Sequence, residues 1–236
     1  MSLEIKNITS GYVKDVPILH DLTMKAEDGT LTLIIGPNGA GKSTVLRTVY
    51  GYLYPDSGDI LHDDRSLKGY KPNQMLEEGI AYLLQGHSVF PDMTVEENLS
   101  LGGWIFKKDR KRLRSAIEAV FDRYPALKEK RNALAGALSG GQQRILEIAR
   151  LTMTNPHTIL IDEPSVGLMP KLVHSVYSEI SKLKEEGYTI LMVDQQVRLG
   201  LDVADYLYVL NLGKNSHHGP KEQFAGAIED VIREWI

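Results

Sequence analysis

GPNGAGKST, from Gly36 to Thr44, combines glycines, a lysine and two hydroxyls at a spacing suited to phosphate. It fits G-x-x-x-x-G-K-[ST] from Gly36 to Ser43, between the apolar run TLTLIIG and a helical pattern that begins at Lys42. Gly36, Gly39 and Gly41 let the backbone turn N–H groups inward around phosphate oxygens, with Pro37, Asn38 and Ala40 completing the loop. The start of the next helix adds positive partial charge. Lys42 is placed to reach the β- and γ-phosphates of a nucleoside triphosphate, and the Ser43 hydroxyl, with Thr44 beside it, to ligate Mg²⁺.

Further along, TILIDEP (Thr158 to Pro164) delivers Asp162 and Glu163 at the end of an apolar strand. Asp162 suits a carboxylate that holds hydrated Mg²⁺ through water, and Glu163 suits a general base that polarises an attacking water. An acidic helix start after a strand would look the same in isolation. A third element, LSGGQQRILEIAR (Leu138 to Arg150), sets two glycines at the start of an amphipathic helix with Ile145, Ile148 and Ala149 on one side. Ser139 with the backbone of Gly140 and Gly141 makes a second anion-binding helix start. Two phosphate-binding elements with a single Lys42, far apart in sequence, invite a dimer in which each chain offers its second element to the other's nucleotide. A fourth stretch, YTILMVDQQV (Tyr188 to Val197), is a buried strand that stops at Asp194, Gln195 and Gln196, polar groups that must find partners or do chemistry. These elements alone leave kinases, GTPases and several ATPase classes open, although no NKxD guanine-reading motif is present.

The elements that must hold these residues follow from composition and periodicity. At 236 residues, 42% hydrophobic and 25% charged, the chain fits one globular domain with an inserted subdomain. The net charge of −4 gives no general attraction to nucleic acid. The absence of cysteine excludes disulfides and suits a reducing cytosol. No secretory signal is read at the N-terminus, and no apolar run approaches the ~18 residues of a membrane span. Residues 1–35 read as strands, with Asp28-Gly29 as a hairpin signal. Ile80 to Gln85 reads as a strand, and residues 86–150 as mostly helical, with a capping box at Thr94 and Glu97. From Thr158 strands and helices alternate, Leu172 to Glu186 being a helix with Leu172, Val176, Ile180 and Leu183 inward. A closing hairpin begins at YLYVLNLG. The expectation is an α/β fold with a mostly parallel sheet, residues 1–85 and 151–236 forming the core and 86–150 a helical insertion.

LSGGQ resembles the signature motif of ABC-type ATPases, and the resemblance covers essentially the whole chain with motifs in the family's order. It implies a P-loop NTPase fold, a RecA-like sheet with an N-terminal antiparallel β subdomain and an inserted α-helical subdomain, binding ATP and Mg²⁺. Gly36 to Thr44 match the Walker A loop, Ile159 to Asp162 the Walker B strand and Glu163 the catalytic glutamate. Gln85 matches the glutamine that contacts Mg²⁺ and faces the membrane partner. Tyr12 matches the aromatic that stacks on adenine, and Ser139, Gly140, Gly141 and Gln142 the residues that meet the partner subunit's nucleotide. SVGL, Ser165 to Leu168, matches the D-loop, from which Gly167 departs. Gln195 falls in the slot of a switch histidine. Its amide can donate to phosphate without carrying charge, which implies a sensor insensitive to pH; capping the next helix is the alternative.

The switch glutamine, VFPDMTVEENL (Val89 to Leu99) and PSVGLMP (Pro164 to Pro170) resemble the LivF-type ATPases of branched-chain amino acid importers. That resemblance implies a peripheral subunit on the cytoplasmic face of the membrane. Its partners would be permease subunits, a second ATPase subunit (homodimer or LivG-type heterodimer) and, through the permease, a solute-binding protein. Other ABC transporter ATPases, such as an amide or urea importer or a lipopolysaccharide-type exporter, and a soluble ABC ATPase are the alternatives. Leu84 and His87 depart from the LivF pattern next to Gln85. His217-His218 reads as a solvated turn, and KKDRKRLR (Lys107 to Arg114) as the solvated start of a helix or a contact for anionic lipid or a membrane partner.

Overall fold

The computed structural model describes residues 1–86, 88–224, 226 and 228, so His87 lies outside the described residues. In chain order the strands are β1 (Leu3–Ser10), β2 (Leu19–Ala26), β3 (Leu31–Ile35), β4 (Ser57–His62) and β5 (Arg65–Ser66). They continue with β6 (Ile80–Leu83), β7 (Thr158–Asp162), β8 (Thr189–Val193), β9 (Tyr206–Asn211) and β10 (Lys214–Pro220). The α-helices are α1 (Lys42–Val49), α2 (Pro72–Glu77), α3 (Val95–Gly102), α4 (Arg110–Arg123), α5 (Pro125–Lys128), α6 (Gly140–Thr152), α7 (Pro170–Glu185) and α8 (Val197–Val203).

Two sheets divide the strands. An antiparallel sheet runs β2-β1-β4-β5, and a six-stranded sheet runs β10-β9-β3-β8-β7-β6. Pairing from β9 through to β6 is parallel, and β10 closes the edge antiparallel. β3, β7 and β8 are buried along their whole length, as unbroken apolar runs covered on both faces should be. The Asp28-Gly29 turn is not a hairpin, correcting the sequence reading. It carries the chain from β2, paired with β1, to β3, paired with β8 and β9 in the other sheet. A turn dipeptide specifies a local reversal and leaves open which strands pair across it. The closing hairpin is present, with Leu212 and Gly213 both at positive φ in its two-residue turn.

One apolar core lies between the two sheets around α1, a second between the six-stranded sheet and α7 and α8. A third fills α3 to α6 with Leu99, Ile117, Phe121 and Leu146. Thr94 caps α3 as a full capping box with Glu97. In α7 the inward stripe is Val173, Val176, Tyr177, Ile180 and Leu183, while Leu172 is only half-buried and packs over Gly141. The 3.6-residue period allowed either neighbour, and the sheet face selected Val173. No helix among the described residues is long and apolar enough to cross a membrane.

Candidate functional site

β3 ends at Ile35 and the chain turns at once into the phosphate loop. Gly36 has φ +153, and a Cβ there would lie 2.1 Å from the Leu210 carbonyl oxygen, so the loop cannot approach β9 with any other residue. Lys42 opens α1, where the first N–H groups have no intrahelical partners. Its Nζ donates to the Gly36 and Pro37 carbonyls at 2.8 and 3.0 Å, curling back over the loop. Burial pulls the ammonium below the ordinary lysine value, against the opposing pull of the Glu163, Asp162 and Asp194 carboxylates.

Parallel pairing of β7 between β6 and β8 brings three strand ends to the same place. Asp162, the last residue of β7, accepts from Ser43 Oγ at 2.9 Å and from Tyr82 Oη on β6 at 3.0 Å. Its burial pushes the carboxyl pKa up, against those two hydrogen bonds. An aligned hydroxyl and carboxylate form an all-oxygen donor set, which suits a hard divalent cation that keeps several waters. Glu163 follows with φ +44, a left-handed conformation costing about 1–3 kcal/mol, just before Pro164. Its N–H donates to the Val193 carbonyl on β8, which fixes the turn. The bend delivers the carboxylate to two amides: Gln85 Nε2 donates to Oε2 at 2.5 Å and Gln195 Nε2 donates to Oε1 at 2.7 Å. Gln195 is therefore not the helix cap. Gln196 is the N-cap of α8 and makes no side-chain cap, and Asp194 Oδ1 accepts from both the Gln195 and Gln196 N–H groups. Tyr177 donates to the other Asp194 oxygen.

A cleft of about 280 Å³ runs over the loop, lined by Tyr12, Asn38, Lys42, Ser43, Thr44 and Glu163 among others. Tyr12 is half exposed at its edge and accepts from Arg47 at 3.1 Å. Thus Tyr12, Gly36 to Thr44, Asp162, Glu163, Gln85 and Gln195 come together. Ser139, Gly140, Gly141 and Gln142 do not. Ser139 and Gln142 form the capping box of α6 around Gly140 and Gly141, its first two residues, and Ser139, Gly141 and Gln142 border a separate hollow with Tyr124, Ile145 and Leu172. The D-loop departure has a geometric reason, because Gly167 turns the loop at φ +79. His217 and His218 lie in β10, not in a turn, with His218 stacked on Tyr208 and bonded to Tyr206. Among the described residues no acidic, histidine or cysteine cluster could hold a metal without substrate oxygens.

Two residues that carry this geometry were missed in sequence. Arg144 and Glu147 of α6 are buried, 2% and 1% exposed. Arg144 Nε donates to the Pro164 carbonyl at 2.9 Å, and Nη1 to the Leu84 and Gly86 carbonyls on either side of Gln85 and to Glu147. Glu147 in turn accepts from the Ser88 and Val89 N–H groups. The available signal was a pair of charges on the inward stripe of an amphipathic helix.

The profile of the ABC transporter family matches residues 19–166, more than half of the chain. This chain belongs to the ABC transporter family. It is 37% identical to the high-affinity branched-chain amino acid transport ATP-binding protein BraG of Pseudomonas aeruginosa over 89% of both chains. It is 32% identical to the probable branched-chain amino acid transport ATP-binding protein LivF of Archaeoglobus fulgidus, over 92% of this chain and 91% of that one. A crystal structure of an ABC transporter's ATP-binding cassette in its ADP conformation superposes with a TM-score of 0.88 at 30% identity, covering 100% of this chain and 98% of that chain. The chain is an ATP-hydrolysing ABC cassette, the ATPase subunit of a transporter, and its nucleotide is ATP.

Proposed function

We propose that this cassette drives a membrane importer for branched-chain or other amino acids. It would bind at the cytoplasmic face to permease subunits and pair with a second ATPase subunit, a copy of itself or a LivG-type sister, while a solute-binding protein delivers cargo to the permease. The supporting observation is the clasp on Glu163, in which the two sensing side chains are both glutamines. The paired glutamines fit the LivF-like switch sequence, and the kinship to BraG and LivF supports the cargo class.

In this reading Tyr12 stacks on adenine, residues Gly36 to Thr44 and Lys42 hold the phosphates, and the partner's Ser139 and its glycines complete the site. Mg²⁺, when bound, neutralises phosphate charge. Ser43 and Gln85 would ligate it directly and Asp162 through water. Glu163 orients the attacking water and accepts its proton once the two amides release its oxygens. Gln195 then donates to a γ-phosphate oxygen. A mostly apolar hollow of about 460 Å³, lined by Tyr50, Tyr82, Phe90, Trp104, Arg150 and Leu151, lies beyond β6 and offers the permease a seat.

Affinity capture of the tagged protein from detergent-solubilised cells tests the importer. Recovery of a polytopic permease, a sister ATPase and a solute-binding protein is expected. Recovery of ribosomal or DNA-repair proteins in their place overturns it. The switch has its own test in phosphate-release kinetics. Gln195→Ala is expected to lower turnover by up to about tenfold, the worth of one neutral hydrogen bond, and Gln195→His to retain it. Only the histidine variant acquires a pH-dependent step in turnover, where its imidazole titrates. Unchanged turnover in the alanine variant makes Gln195 a bystander.

A further inference from the structure

The strongest charge feature of the chain lies outside the nucleotide site. Between Trp104 and Arg114 six cations, Lys107, Lys108, Arg110, Lys111, Arg112 and Arg114, face one carboxylate, Asp109, a net of +5 in a chain of net −4. The remainder therefore carries −9 (−4 less +5). All six are exposed, and among the described residues none has an ion-pair partner within 4 Å. Within the same subdomain, by contrast, Arg123 and Arg131 each bind two carboxylates. The placement does not serve the helix either. Arg110, Lys111 and Arg112 open α4 behind a single acid, the Asp109 N-cap, at the end where positive charge is unfavourable.

Beside the cations stand exposed apolar side chains. Trp104 is 57% exposed and Ile105 41%, and the Lys107 ammonium sits 3.5 Å from the centre of the Trp104 ring. Trp104 also borders the hollow next to Phe90 and Arg150. A tryptophan and an isoleucine flanked by lysines and arginines that hold no carboxylate within 4 Å match a membrane interface, where the aromatic enters the headgroup layer and cations meet lipid phosphates. A long wrapping polyanion would meet the −9 remainder, whereas a flat surface meets one face only.

We propose that Trp104 to Arg114 is a contact for the anionic headgroups of the bilayer that holds the permease. The inference rests on the transporter reading, with the hollow turned toward the membrane. It gives the cassette a lipid contact of its own, beside any contact with the permease.

Co-sedimentation of the full chain with lipid vesicles, without nucleotide, is the test. Binding is expected to vesicles of phosphatidylcholine mixed with phosphatidylglycerol, weakening as salt rises, and not to phosphatidylcholine alone. The triple variant Lys108→Glu, Arg110→Glu, Lys111→Glu is expected to bind at least about a hundredfold more weakly. Acids at that end of α4 favour the helix, so unfolding does not explain such a loss. Its ATP hydrolysis is expected to match the parent chain. In a Trp235→Phe background, which leaves Trp104 the sole tryptophan, emission shifts to the blue on anionic vesicles. Equal binding by the triple variant, or equal binding to neutral vesicles, overturns the proposal. So does a triple variant that loses a captured protein partner while neither form binds lipid, which assigns the patch to an acidic protein surface. None of these results touches the ATPase reading, which hydrolysis itself reports.

Discussion

Glu163→Gln is expected to lower ATP turnover by about 10²–10⁴-fold, the usual worth of a general base, the role proposed for it, with nucleotide binding retained. The carboxylate lies at the end of β7 between two donors, Gln85 and Gln195, each on a separate oxygen. A glutamine there keeps the shape but offers one acceptor in place of two. One of the clasping amides must then turn its oxygen inward. Lys42 also loses one of the carboxylates that support its ammonium. Neither change removes a group that cradles phosphate, so the variant is expected to fill with ATP and stall. If the partner's Ser139 completes the site, the stalled form elutes as a dimer on gel filtration with ATP and Mg²⁺. Elution as monomer alone means that either the shared site or the pairing of identical chains is wrong.

Arg144→Ala is expected to destabilise the fold by about 3–5 kcal/mol, because it strands the buried Glu147 carboxylate without its cation. Denaturant unfolding reads this directly. The paired variant Arg144→Met with Glu147→Leu separates stability from positioning. Replacing a buried ion pair by apolar groups of similar volume is commonly neutral or better, so most of the loss is expected to return. Turnover is not expected to return with it. The guanidinium also anchors the Leu84 and Gly86 carbonyls on either side of Gln85 and the Pro164 carbonyl just after Glu163. Without that anchor the Gln85–Glu163 contact loses its fixed geometry, and a low kcat with near-normal stability is the expected signature. Recovery of both marks Arg144 as a purely structural residue.

Much of this protein was legible in its sequence because the chemistry is carried by short contiguous motifs. The phosphate loop needs residues only a few apart, and the α/β alternation, the capping box at Thr94 and the apolar runs of β3, β7 and β8 are local patterns. Gln195 could be placed in its slot by counting along one strand. Which groups it would meet could not be counted. Parallel pairing of β6, β7 and β8 sets Gln85, Glu163 and Gln195, far apart in the chain, on one carboxylate. Asp28-Gly29 shows the same limit: its turn was visible, but the sheet that received the next strand was not. The buried Arg144–Glu147 pair was hidden for a different reason. Helical periodicity predicts apolar residues on the inward face, and a buried charge survives there only where tertiary neighbours supply carbonyls and N–H groups. Local spacing determined which chemistry this chain can perform. The sheet register and the buried polar ties, which exist only after distant segments meet, decided which side chains hold one another in place to perform it.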